Sequence, residues 1–221
     1  MDNLPEKNEA IVLARGIYAA GWAGAWAFLT RQVFTRDEAD PQAPIKPFPD
    51  KEYLRLLTQR WVEEKLLAVP KSRRMLVSWA LTALHLWDAL LHEYRAIYIG
   101  ARKLEGSEEL VGRCKFIHEH LRMPGLFPVV KTRAARASKH PEAVNALHVP
   151  ETGSSIQAVA EGADQMRQYA ASRYLGDEFA FWGKARATWT ALKPAVEGGG
   201  QICIVSSPSP GFMEAIVHDQ L

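Results

Sequence analysis

A short apolar run, Leu66-Leu67-Ala68-Val69, passes through Pro70-Lys71-Ser72-Arg73-Arg74-Met75-Leu76 into a long apolar stretch that begins Val77-Ser78. Far downstream a second run, Tyr174-Leu175, closes on Gly176-Asp177-Glu178. A buried strand entering a basic loop that opens a helix, matched by a later strand ending in two carboxylates, is the arrangement a phosphate-binding-loop enzyme needs to hydrolyse ATP.

The residue types follow from the chemistry. Phosphates are held by backbone N–H groups at a helix N-terminus beside a Lys or Arg charge, while a Ser or Thr hydroxyl helps hold Mg²⁺. Lys71 and Arg74 supply the charge here and Ser78 the hydroxyl. Across the site, one carboxylate organises the magnesium shell and another orients the attacking water. Asp177 suits the first role and Glu178 the second. The loop departs from G-x-x-x-x-G-K-[ST], because Met75 and Leu76 stand where Gly and Lys are expected ahead of the hydroxyl. Glycine reaches backbone conformations that other residues avoid, so its absence makes close approach to phosphate harder. Taken singly, the two segments also read as an ordinary basic helix start and an exposed acidic turn.

The wider pattern alternates. Tyr53 to Glu64 reads as a helix, Leu66 to Val69 as a strand, and Val77 to Tyr94 as a helix apolar on most sides and hence buried. Ala96 to Ile99 is a second strand and Glu108 to Leu121 a helix; Ala146 to Val149 and Ile156 to Val159 form a hairpin. Arg173 to Gly176 and Ile202 to Val205 are later strands. Strands alternating with helices predict an α/β sandwich around a mainly parallel sheet. With 221 residues, 48% of them hydrophobic, one main domain is expected. Cys114 and Cys203 form no C-x-x-C pair, and the seven histidines show no metal-ligand spacing.

Before this pattern, Gly16 to Thr30 carries no charge and holds Trp22, Trp26 and Phe28 among Ala and Gly. It is shorter than the ~20 residues a membrane span needs. Acidic Asp2, Glu6 and Glu9 occupy the region a signal peptide keeps basic. It reads as a helical arm packing on the core or on a neighbouring subunit, followed by an extended connection with prolines at 41, 44, 47 and 49. Net charge is only +2, so any nucleic-acid contact must be local. Lys131, Arg133, Arg136 and Lys139 form a basic stretch, readable as a solvated loop or as a loop or short helix beside a DNA channel.

The string Val69-Pro70-Lys71-Ser72-Arg73-Arg74-Met75-Leu76-Val77-Ser78-Trp79 resembles the deviant Walker A of phage large terminase subunits, the ATPases that package DNA into tailed-phage heads. One branch of that family carries its motif lysine at the head of the loop in a Lys-Ser-x-Arg pattern, which Lys71 and Arg74 match. The glycine that the family keeps two residues before the serine is Leu76 here. Gly153-Ser154-Ser155-Ile156 and the turn Gly162 to Arg167 resemble the hairpin and arginine-bearing turn ahead of the family's Walker B strand. Leu175 to Trp182 resembles Walker B itself, and Gln201 to Pro208 the coupling motif that senses the γ-phosphate.

The resemblance implies a P-loop NTPase three-layer sandwich of the additional-strand, catalytic-glutamate type, with residues 1–45 an arm and connection and 46–221 the ATPase domain. It implies ATP and Mg²⁺ as ligands: Glu178 and Arg74 catalytic; Lys71, Ser72, Arg73, Arg74, Ser78, Arg167, Ser206 and Ser207 around the nucleotide; Ser78 and Asp177 on the metal. Phe48 and Tyr53 are candidates to stack on adenine, and equally core aromatics. The implied partners are double-stranded DNA, a portal protein, a small terminase subunit and further copies of the chain in a ring. The implied location is the host cytoplasm and, transiently, the prohead portal, with no membrane. The family's nuclease domain has no counterpart before Leu221, so no DNA cleavage is expected of this chain. The alternatives are a helicase-like P-loop ATPase and a non-catalytic nucleotide-binding assembly module.

Overall fold

The computed structural model describes residues 4–37, 39–162 and 170–218. Two helices, α1 (Leu4–Ala19) and α2 (Gly21–Gln32), lead into a hairpin of β1 (Phe34–Arg36) and β2 (Ile45–Pro47), and α3 (Glu52–Glu63) follows. A seven-stranded sheet is then built from β3 (Leu66–Pro70), β4 (Ala96–Ala101), β5 (Lys131–Ala134), β6 (Val144–Val149), β7 (Ser154–Ala160), β8 (Arg173–Asp177) and β9 (Gln201–Ser206). Between and after these strands run α4 (Val77–Leu91), α5 (Leu104–Glu119), α6 (Ala185–Glu197) and α7 (Phe212–Val217).

The strand order is β3-β9-β8-β4-β7-β6-β5, parallel from β3 to β7 and antiparallel from β7 to β5. β9, the last strand in sequence, therefore lies between β3 and β8, the additional strand of the expected fold type. Alternate residues of the central strands face opposite ways, as a period of two requires. Leu175, Cys203 and Val205 join one buried cluster with α1 to α5, whereas Tyr174, Ile202 and Ile204 join a second with α6 and α7. A sheet buried on both faces reads as continuous apolar runs, and three layers result.

α4 lies inside the first cluster, with every residue from Ala80 to Leu90 buried. It packs on the sheet through β7 and β8 and is covered by α1, α2, α3 and α5. The helix expected to reach Tyr94 stops at Leu91, where His92 is already extended, and Tyr94, with a left-handed φ of 54°, lies in the turn that leads into β4. The uncharged N-terminal run spans the junction of two helices bent by 109°, and no single helix among the described residues is long and apolar enough to cross a membrane. Gly24 permits the bend, since a Cβ there would lie 2.3 Å from the Tyr18 carbonyl oxygen. Phe28 and Leu29 are fully buried, and the Trp87 indole N–H donates to the Tyr18 carbonyl at 2.8 Å. One buried cluster thus spans both sides of the 45/46 boundary, which itself falls within β2.

The basic stretch is neither loop nor helix at its start: Lys131 and Arg133 lie on β5, the edge strand paired with β6. All four residues of β5 are exposed, so it lacks the apolar alternation that marks a strand. Arg136 follows in a turn whose backbone N–H groups at 136, 137 and 138 all donate to the Glu108 carboxylate of α5.

Candidate functional site

The C-terminal ends of β3, β8 and β9 meet at one rim of the sheet. The Lys71 backbone N–H donates to the Ser206 carbonyl at 2.9 Å, carrying the β3–β9 ladder one residue into the loop. The Lys71 side chain is 9% exposed and its ammonium lies 2.7 Å from Glu178 Oε1. Ser78, in the first turn of α4, donates from its hydroxyl to Asp177 Oδ1 at 2.9 Å. Ser206 Oγ and the Ser207 N–H both donate to Glu178 Oε2, at 3.2 and 3.1 Å. Lys71, Ser78, Asp177, Glu178, Ser206 and Ser207, named from three distant segments, therefore meet in two hydrogen-bonded sets, one on Asp177 and one on Glu178, joined through the peptide between those carboxylates.

The backbone explains how they converge. Glu178 has φ 51°, a left-handed turn that swings its side chain off β8 toward β3 and β9. Within the loop, Arg74 and Leu76 also adopt left-handed conformations, with φ 62° and 55°. Each costs a non-glycine residue about 1–2 kcal/mol. Leu76 stands two residues before Ser78, so the place where a glycine is expected does require glycine-like geometry, and a leucine adopts it. The Tyr53 hydroxyl, donating to the Met75 carbonyl at 3.1 Å, fastens this strained turn to α3. Ser72, Arg73 and Arg74 are exposed. Phe48 is buried edge-on against Trp26 in the core. Arg167 lies outside the described residues.

The two carboxylates titrate in opposite directions. Burial raises Asp177 above the usual aspartate range, and the Ser78 hydroxyl and Lys71 charge only partly offset it. Burial alone would raise Glu178 as well, but the Lys71 ammonium and the Ser207 N–H outweigh it and hold the carboxyl below the usual glutamate range. Glu178 is thus kept ionised, while Asp177 is a buried carboxylate short of positive charge. One carboxylate and one hydroxyl, with remaining positions for water and phosphate oxygen, is a donor set that fits Mg²⁺.

A cavity of about 780 Å³ opens beside the loop, within the range of small-molecule sites. Lys71, Arg74, Leu76 and Ser78 line one side and the β1–β2 hairpin the other, with Trp79 of α4 and Arg113 of α5 also in its wall. The part played by the hairpin and by Arg113 carries no sequence signal, since neither lies in a motif. A second cavity of about 350 Å³ lies behind Ser206 and Ser207, against α7.

No protein-family model matches the chain. No curated protein matches it either. Solved structures do. The HK97 bacteriophage large terminase superposes with a TM-score of 0.61 at 12% identity, covering 89% of this chain and 40% of that one. The Thermus phage P74-26 large terminase ATPase domain superposes at 0.52 and 17% identity, covering 75% and 67%, and a point variant of it gives the same score. The chain thus spans two fifths of the HK97 protein and two thirds of the isolated P74-26 domain. Its fold is that of the phage large terminase ATPase domains.

Proposed function

We propose that this chain is a terminase-type motor ATPase, hydrolysing ATP to drive double-stranded DNA into a prohead. The observation that carries the reading is the convergence of Lys71 and Ser78 from the loop with Asp177 and Glu178 from β8 and with Ser206 and Ser207 from β9.

In this reading Lys71 and Arg74 bind phosphate oxygens, and the unpaired N–H groups of the first turn of α4 support them. Ser78 and Asp177 hold Mg²⁺, which when bound neutralises charge on the phosphate oxygens. Glu178 accepts a hydrogen bond from the attacking water and takes its proton as the water oxygen bonds to the γ-phosphorus and the bond to the leaving ADP oxygen breaks. Ser206 and Ser207 set the angle of Glu178. A γ-phosphate that draws Lys71 to itself also releases Glu178 from its ion pair, so nucleotide arrival and base availability are linked through one lysine. DNA, a portal protein and a small terminase subunit are the proposed partners, and a ring of copies the proposed assembly. Arg167 is proposed for coupling between them, and the host cytoplasm and prohead portal for location.

The strained, glycine-free loop favours a second reading, a non-catalytic nucleotide-binding assembly module. Magnesium-dependent ATP turnover, with and without DNA, separates the two. Within the first reading, Lys71→Ala is expected to weaken ATP binding about 10- to 150-fold, the loss of one charge-assisted hydrogen bond. Normal binding by Lys71→Ala with loss in Arg74→Ala would move the phosphate role to Arg74. Normal binding in both would remove the loop from the site.

A further inference from the structure

The cations that line the larger cavity are not equivalent. Arg36 of the hairpin is spoken for by a bidentate pair with Glu142, both contacts at 2.7 Å. Lys46 pairs with Asp37 at 2.7 Å and Asp40 at 3.1 Å, and Lys71 with Glu178. Arg74 and Arg113 have no carboxylate partner among the described residues. Arg74 belongs to the loop already described. Arg113 does not: it comes from α5 and enters the cavity wall from outside every motif.

Its surroundings hold the guanidinium in place without neutralising it. Arg113 Cζ lies 5.4 Å from the centre of the Trp79 ring, and Trp79 in turn meets Phe116 edge-on at 5.8 Å. The helix beneath is fixed by Cys114 and Ile117, both fully buried, and by Glu108 at the other end of the turn network. A guanidinium held over an indole ring is not neutralised by it and retains the planar N–H donors that suit the bidentate oxygen geometry of a phosphate.

We infer that Arg113 is a nucleotide-binding residue, holding the α- and β-phosphates that ATP and ADP share. This rests on the nucleotide reading of the site. The position follows from the lining of the cavity. Lys71 lines it and pairs with Glu178, which with Ser206 and Ser207 lies outside the wall, whereas Arg113 shares the wall with the hairpin and with Trp79, the residue after Ser78. An arginine there acts on binding and not on the chemical step.

The test is a titration of ATP and of ADP against the wild-type chain, Arg113→Gln and Arg113→Lys, with turnover at saturating ATP and thermal melting of each protein. The expected result is a fall in affinity of roughly tenfold or more for both nucleotides in Arg113→Gln. Arg113→Lys should recover part of it, KM should rise with kcat nearly unchanged, and the melting temperature should stay close to that of the wild type. Wild-type affinity in Arg113→Gln would overturn the assignment while leaving the nucleotide site intact. So would an affinity loss that disappears once the unfolded fraction is subtracted, because Arg113 would then serve only to pack Trp79. A loss confined to ATP would overturn the α,β placement. Absence of ATP and ADP binding by the wild-type chain would overturn both this assignment and the reading beneath it.

Discussion

Glu178→Gln is expected to lower ATP turnover by roughly 10²–10⁴, the usual loss when acid–base assistance is removed, while leaving ATP binding at least as tight as in the unaltered chain. Both halves follow from the contacts of one carboxylate. Glu178 accepts from Ser206, Ser207 and Lys71, and a glutamine of the same shape keeps an acceptor oxygen for the two serines. It cannot keep the ion pair, nor take a proton from water. The Lys71 ammonium, which lies 2.7 Å from Glu178 Oε1, then becomes available to phosphate without first breaking a charged contact. Lys71→Ala acts on the opposite side, removing a phosphate ligand and leaving Glu178 ionised. Equilibrium binding of ATP with Mg²⁺ and single-turnover hydrolysis, measured on both variants, separate the roles. Turnover in Glu178→Gln within a factor of a few of wild type would remove Glu178 as the water-orienting group.

How much of this was readable beforehand depended on whether a residue's role is local. The central parallel strands β4, β8 and β9 are buried along most of their length, and these and the partly buried β3 stand out as short apolar runs, so the α/β sandwich and its mainly parallel sheet were legible. The loop, the Asp177-Glu178 pair and the Ser206-Ser207 end were legible because each follows a strand directly, and parallel strands bring such ends to one rim. The edge strand β5 and the hairpin strand β2 were not. β5 is exposed on both faces and reads as a basic loop, and β2 sits in a proline-rich stretch where a two-stranded hairpin has no apolar run to betray it. Pro47 is tolerated because β2 pairs only with β1. Arg113 was invisible for another reason: one arginine on a helix face gains meaning only when folding sets it beside Trp79 and a cavity. The strain at Leu76 lies between these cases, since the missing glycine could be seen, but not that leucine would take up the left-handed conformation in its place.

At the opposite end of the sheet, Asp88→Ala is expected to destabilise the fold by about 3–5 kcal/mol, because it strands a largely buried arginine without its counter-charge. Asp88 is completely buried on α4, and Arg173 of β8 donates to it at 2.6 Å. His92 Nδ1 lies 3.0 Å and Arg95 Nε 3.4 Å from the same carboxylate. Arg173 is further fixed by its donation to Gln201 of β9 and by the Trp61 ring of α3, 4.1 Å from its Cζ. Gln201 in turn donates to the backbone carbonyls of Trp61 and Glu64. One carboxylate therefore ties α3, α4, β8 and β9 together where no apolar contact could replace the charge of Arg173. Burial alone would raise the Asp88 carboxyl, but His92 and the Arg173 guanidinium more than offset this and lower it to about 2. An unfolded aspartate titrates near ~3.9, so the group's contribution is fully present above that value and is lost as pH falls toward 2. The stability gap between wild type and Asp88→Ala should accordingly be widest near neutral pH and narrow between about pH 4 and pH 2. Urea unfolding at pH 7 and at pH 3 measures both. A gap below about 1 kcal/mol at pH 7, the scale of an exposed pair, would mean that Asp88 and Arg173 behave as a solvated surface contact.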